Sequence, residues 1–143
     1  MSEFKFPTEE VDLPSKGLIY PKDNPLSSGK IEVKYMTAKE EDILSNQSYI
    51  QKGTVLDKLL DSVIVSKDVD HRDLIVGDKN ALLIATRILG YGKDYTFERN
   101  GEKYTVDLNS FENNDFDEDK MINGKNEFSF TLPFSNIPIT YKL

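Results

Sequence analysis

The 143 residues predict an α+β fold: a helical N-terminal half with one strand, then a hairpin-rich antiparallel β C-terminal half. Three observations predict it. Apolar residues recur at helical spacing in segments between residues 38 and 89, an Asn-Gly pair at 100–101 separates two strand-like segments, and the chain closes on two more such segments. With 38% hydrophobic and 10% aromatic residues the chain can bury a core, and its length suits one domain.

Residues 1–30 read as a proline-rich extended arm, because Pro7, Pro14, Pro21 and Pro25 deny the segment a helix. Phe4, Phe6, Val11, Leu13, Leu18, Ile19, Tyr20 and Leu26 make it too apolar for a free linker, so it should lie across its own domain or a neighbour. Residues 31–143 read as a single α+β domain. Ile31, Val33 and Tyr35 alternate with Glu32 and Lys34, the period of a half-buried strand. Thr37, followed three residues later by Glu40, matches a capping box and predicts a helix near 38–46, with Ile43 and Leu44 as its apolar contacts.

A second helix is expected at 54–65, where Val55, Leu56, Leu59, Leu60, Val63 and Ile64 form one stripe. A third, at 79–89, is apolar almost all round and should be central to the core. Gly90 and Gly92 bracket Tyr91 where a left-handed residue should end that helix. Strands around Asn100-Gly101 predict a hairpin at 94–108. A second hairpin is expected at 127–143, turning through Pro133-Phe134-Ser135-Asn136, after an acidic loop at 109–126.

Charge and composition exclude more chemistry than they suggest. The net charge is 18 − 25 = −7, against nucleic acid or an anionic membrane as the main partner. Without cysteine there are no disulfides or thiolate sites. No apolar run reaches the roughly 20 residues of a membrane helix, and the first residues carry no apolar signal core. The single His71, between Asp70 and Arg72-Asp73, lacks a nucleophile motif and reads as a solvated loop residue more readily than a general base. Asp115, Asp117 and Asp119 have a calcium-loop look, but Lys120 and Asn126 stand where that loop needs Gly and Glu. No metal, cofactor or catalytic residue is therefore expected. Arg87, on an apolar helix, should snorkel or pair with Glu40, Glu41 or Asp57, and a structural ion pair is the favoured reading.

Four blocks carry a resemblance. They are Leu13-Pro14-Ser15-Lys16-Gly17-Leu18-Ile19-Tyr20-Pro21, then 31–44, then Lys52-Gly53-Thr54-Val55-Leu56-Asp57-Lys58-Leu59-Leu60, and finally 74–81 running into Arg87-Ile88-Leu89-Gly90-Tyr91-Gly92. In this order they resemble the baseplate hub and hub-assembly proteins of T-even-like, T-four-type contractile-tailed bacteriophages. The resemblance implies a non-enzymatic structural or assembly role in the virion's tail baseplate, in host cytoplasm during assembly. The implied partners are other hub or tail proteins, including the tape-measure protein. Alternatives are a transient assembly chaperone that leaves before the virion matures, and a small enzyme using His71 and neighbouring carboxylates.

On that reading, exposed apolar character assigns partner contacts to Leu13, Pro14, Lys16, Gly17, Tyr20 and Pro21 on the arm and to Thr37, Glu40, Glu41 and Leu44 on the first helix. Arg87, Gly90, Tyr91 and Gly92 are read as structural. The resemblance also implies a Cys-Pro-x-Cys-Gly zinc knuckle after the Tyr-Gly segment and a further helical region beyond the last strand. Here Arg99-Asn100-Gly101-Glu102 occupies the knuckle position, and the sequence ends at Leu143.

Overall fold

The structure is a computed structural model that describes residues 7–143. Phe4 and Phe6 of the arm lie outside the described residues. The α+β class stands, with four helices preceding two antiparallel hairpins. The predicted strand is β2 (Lys30–Lys34), and it has a partner that the sequence pattern hid, β1 (Thr8–Asp12). The two are antiparallel, with Val11 opposite Ile31 and Glu9 opposite Val33. A strand reading Thr-Glu-Glu-Val-Asp has one apolar side chain, so no alternation marks it.

The capped helix is α1 (Ala38–Ser45), with the capping box of Thr37 and Glu40 in place. Asn46 ends it and at once caps a short helix that was not anticipated, α2 (Gln47–Lys52), by accepting the Tyr49 N–H at 3.1 Å. The amphipathic stripe forms α3 (Val55–Val63), which buries Leu59, Leu60 and Val63. Its end runs on beside β2, with a bridge between Val33 and Ile64 and a bond from Val65 N–H to the Glu32 carbonyl at 3.0 Å.

The last helix, α4 (Val76–Tyr91), starts earlier and ends later than expected. Gly90 lies inside it, close against the Met36 thioether, and Gly92 is the residue with positive φ, at 84°. Far from being buried all round, α4 buries only Asp78, Leu82 and Thr86, one side chain per turn on a single narrow face. Its remaining apolar side chains are partly buried, except Val76 and Tyr91 at its two ends, which are exposed.

The core is made by the arm (Leu13, Ile19, Tyr20, Leu26), by β2 (Ile31, Val33), by α3, and by Leu74 and Leu82. Each fully buried Leu, Ile or Val in it is worth about 1.5–3 kcal/mol. The proline-rich stretch is thus integral to the chain's own interior. Gly17, at φ 74°, turns against Gly29 so closely that an added Cβ would sit 2.6 Å from the Gly29 nitrogen and the Ser27 carbonyl oxygen.

After α4 the character of the chain changes. β3 (Asp94–Arg99) and β4 (Glu102–Asp107) pair through the Asn100-Gly101 turn, both of whose residues have positive φ. β5 (Phe128–Thr131) and β6 (Pro138–Tyr141) form the second hairpin. Each hairpin is a separate two-stranded sheet. No residue from Tyr91 onward is buried, and only Met121 and Phe128 are half-buried apolar residues leaning on the core.

Candidate functional site

The block from Leu13 to Pro21 is folded inward. Asp78, fully buried in the first turn of α4, accepts the Ser15 N–H at 2.9 Å, the Ser15 hydroxyl at 2.5 Å and the Tyr20 hydroxyl at 2.6 Å. The Tyr20 oxygen in turn accepts the Ile75 N–H at 3.1 Å. Burial, reinforced by the Asp78 carboxylate, pushes the Tyr20 hydroxyl pKa up. Leu13 and Tyr20 are 3% and 4% exposed, so the expectation that they meet a partner is corrected: their surfaces are consumed by the core. Gly17 is likewise committed to backbone packing. Pro21 and Lys16 remain exposed, Lys16 paired with Glu118 of the acidic loop, and Pro14 is half-buried.

Glu40 is corrected for the same reason. It is fully buried between β2, α1 and α3, paired with Lys34 Nζ at 2.7 Å, and it accepts the Thr37 N–H at 2.8 Å, the Thr37 hydroxyl and the Ser62 hydroxyl. Desolvation raises its pKa, but the bonds from Lys34, Ser62 and Thr37 more than reverse that and hold it at about 2. Thr37 and Leu44 are half-buried, Leu44 packed against the core. Glu41 is exposed and accepts the Tyr91 hydroxyl across to the end of α4.

Most of the exposed aromatic surface lies after α4, on the hairpins, where no contact residue was expected. In β3 and β4 the register sets Tyr95 opposite Val106 and Phe97 opposite Tyr104, so one face of the hairpin is a ladder of aromatic rings. Phe97 stacks on Tyr104 at 5.6 Å between centroids and lies 6.0 Å from Tyr95. The opposite face is polar, with the Thr96 and Thr105 hydroxyls 2.9 Å apart. The aromatic face is open: Tyr95, Phe97 and Tyr104 are 45%, 38% and 42% exposed. In the second hairpin Phe128 stacks on Tyr141 and Phe130 faces Ile139, and Phe134 projects from its turn with no cover at all.

Arg87 stands where α4 meets the first hairpin. Its guanidinium lies 4.8 Å from the Tyr91 ring centroid and 5.7 Å from that of Tyr95. The expected ion pair is not made: Glu40 is taken by Lys34, Asp57 by Lys79 and Glu41 by Tyr91. No described carboxylate pairs with Arg87, and its enclosed Nη1 has no hydrogen-bond partner among the described residues. Beside it runs an apolar groove of about 360 Å³, lined by Leu83, Ile84, Tyr95, Leu108 and Phe111.

His71 is also corrected, from a solvated loop residue to a nearly buried one, 6% exposed. It opens a short 3₁₀ turn whose cap, Asp70, is occupied with Arg72. The carboxylates facing the imidazole come instead from α3, Asp61 at 3.2 Å from Nε2 and Asp57 at 4.0 Å from Nδ1. Lys79 reaches Asp57 at 2.7 Å and holds its pKa below the usual carboxylate range. These residues line an open hollow of about 580 Å³ with Thr54, Lys58 and Arg72. Among the described residues no group of three or more His, Asp or Glu could hold a metal ion, and no helix is long and apolar enough to cross a membrane.

No family model, no curated protein and no solved structure matches this chain. The surface residues that the sequence reading missed, Tyr95, Phe97, Tyr104 and Phe111, did leave a signal. Aromatic residues alternate at Tyr95 and Phe97 on one side of an Asn-Gly turn, and Tyr104 and Val106 continue the apolar face on the other, a pattern that marks strand formers as well as a contact face.

Proposed function

We propose that this chain is a non-enzymatic structural or assembly protein of a contractile phage tail baseplate hub, acting through protein-protein contacts. One observation carries the contact role: the chain from Tyr91 to Leu143 buries no residue, yet presents two aromatic-faced hairpins. A lone two-stranded hairpin is marginal in water, and contiguous exposed aromatic surface marks an interaction site. A partner covering these faces supplies the missing core, and the free strand edges offer pairing as well. The baseplate assignment rests on the resemblance of the four blocks between Leu13 and Gly92.

The test is mass spectrometry of purified particles of the virus encoding the chain, with complementation by a Phe97→Ser, Tyr104→Ser variant. The chain should be present in fixed ratio to hub proteins, and the variant should fold yet fail to restore assembly. Absence from particles together with an assembly defect would favour the chaperone reading. A second reading, a small enzyme, has one observation in its favour: the near-buried His71 imidazole facing Asp57 and Asp61 at an open hollow. His71→Ala should leave assembly intact; loss of function with an intact fold would replace the contact reading by the catalytic one.

A further inference from the structure

We infer that the groove beside Arg87 takes a partner-protein segment presenting a carboxylate next to an apolar side chain. This deepens the contact reading and rests on it. The groove walls are Leu83, Ile84, Leu108 and Phe111, with Tyr95 at the hairpin end, and Arg87 is the one charged group among its lining residues. The Arg87 guanidinium contacts the rings of both Tyr91 and Tyr95, and these contacts restrict its side chain before a ligand arrives. Its guanidinium has donors in a fixed fork and no described carboxylate to receive them. That cation gives the groove its charge complementarity to an anion.

The chemistry of the walls selects the kind of anion. A free phosphate would satisfy Arg87 but leave the aliphatic walls wet. A nucleic acid would also meet the chain's net charge of −7. A peptide carboxylate flanked by an aliphatic or aromatic residue satisfies both parts at once. The volume of about 360 Å³ falls at the low end of ligand clefts, roughly 300–1,000 Å³.

The test uses the full chain and two probes, acetyl-Phe-Glu-Leu-amide and acetyl-Phe-Gln-Leu-amide, titrated to millimolar concentration and followed by NMR. The Glu peptide should move the Arg87 Nε–H, the Tyr95 ring and the Leu83 methyls, and bind about ten-fold more tightly than the Gln peptide. Arg87→Gln should remove that difference while leaving the Val33 and Leu60 methyl signals in place. Should Arg87→Gln unfold, Phe111→Ser at the exposed rim should weaken both peptides equally. Equal affinity for the two peptides, shifts elsewhere, or no binding overturns the inference. So do concentration-dependent shifts of the same groove residues in the chain alone, which would make the occupant a second copy. None of these results touches the particle measurement, so the two readings fail separately.

Discussion

At the scale of single residues, two buried carboxylates lock the chain together. Replacing Tyr20 by Phe removes the Asp78 contact and the acceptor of the Ile75 N–H. Urea denaturation should then give a loss of about 1–3 kcal/mol. Glu40 sets a pH dependence. Its carboxyl binds a proton near pH 4.5 when unfolded and only near 2 when folded, so between these values the unfolded state holds more protons. Its contribution, about 3 kcal/mol at most, is complete above pH 5 and disappears as the pH falls towards 2. Denaturant midpoints between pH 6 and 2 should therefore fall more steeply in the native chain than in Glu40→Gln. The Thr37–Glu40 capping box was legible in the sequence because it is local. The partners Lys34 and Ser62 were not, because they are brought in by other elements.

At the scale of elements, legibility followed periodicity. The α3 stripe and the Asn100-Gly101 turn each carry their own signal, and both formed where expected. β1 carries none: its place is fixed by pairing with β2, and α2 depends on the Asn46 cap between two helices. The apolar circumference of α4 predicts central burial, yet Leu82 is its one fully buried apolar side chain, and Leu83 and Ile84 line the open groove instead. Because the aromatic face of β3 and β4 adds nothing to the core, Phe97→Ser should change the melting temperature little while weakening partner binding by about 2 kcal/mol or more, the cost of a buried aromatic anchor. Differential scanning calorimetry and a binding titration with hub proteins measure the two parts.

The whole molecule is divided between an N-terminal unit, which owns every buried residue, and a C-terminal extension, which owns most of the exposed aromatic surface. Native-state hydrogen exchange should report this division. Amides of β2 and α3 should open only at the global unfolding free energy, those of β3 to β6 at far lower cost. Deleting residues 1–21 should abolish cooperative folding, because it removes Leu13, Ile19 and Tyr20 from the core. The sequence made the arm's apolar content plain. Which side it faced depended on Asp78, sixty-three residues away from Ser15 in the chain. The expectation that the arm and α1 form the contact surface therefore passes to the hairpins and the end of α4.

The most direct test is cross-linking mass spectrometry on assembly intermediates and purified particles, using the exposed lysines as reporters. The account predicts cross-links to hub proteins from Lys103 and Lys142, on and next to the two hairpins that carry the aromatic faces, and few from Lys39 or Lys52 on the helical side. Cross-links confined to the helical side, or none to any baseplate protein at either stage, would contradict it.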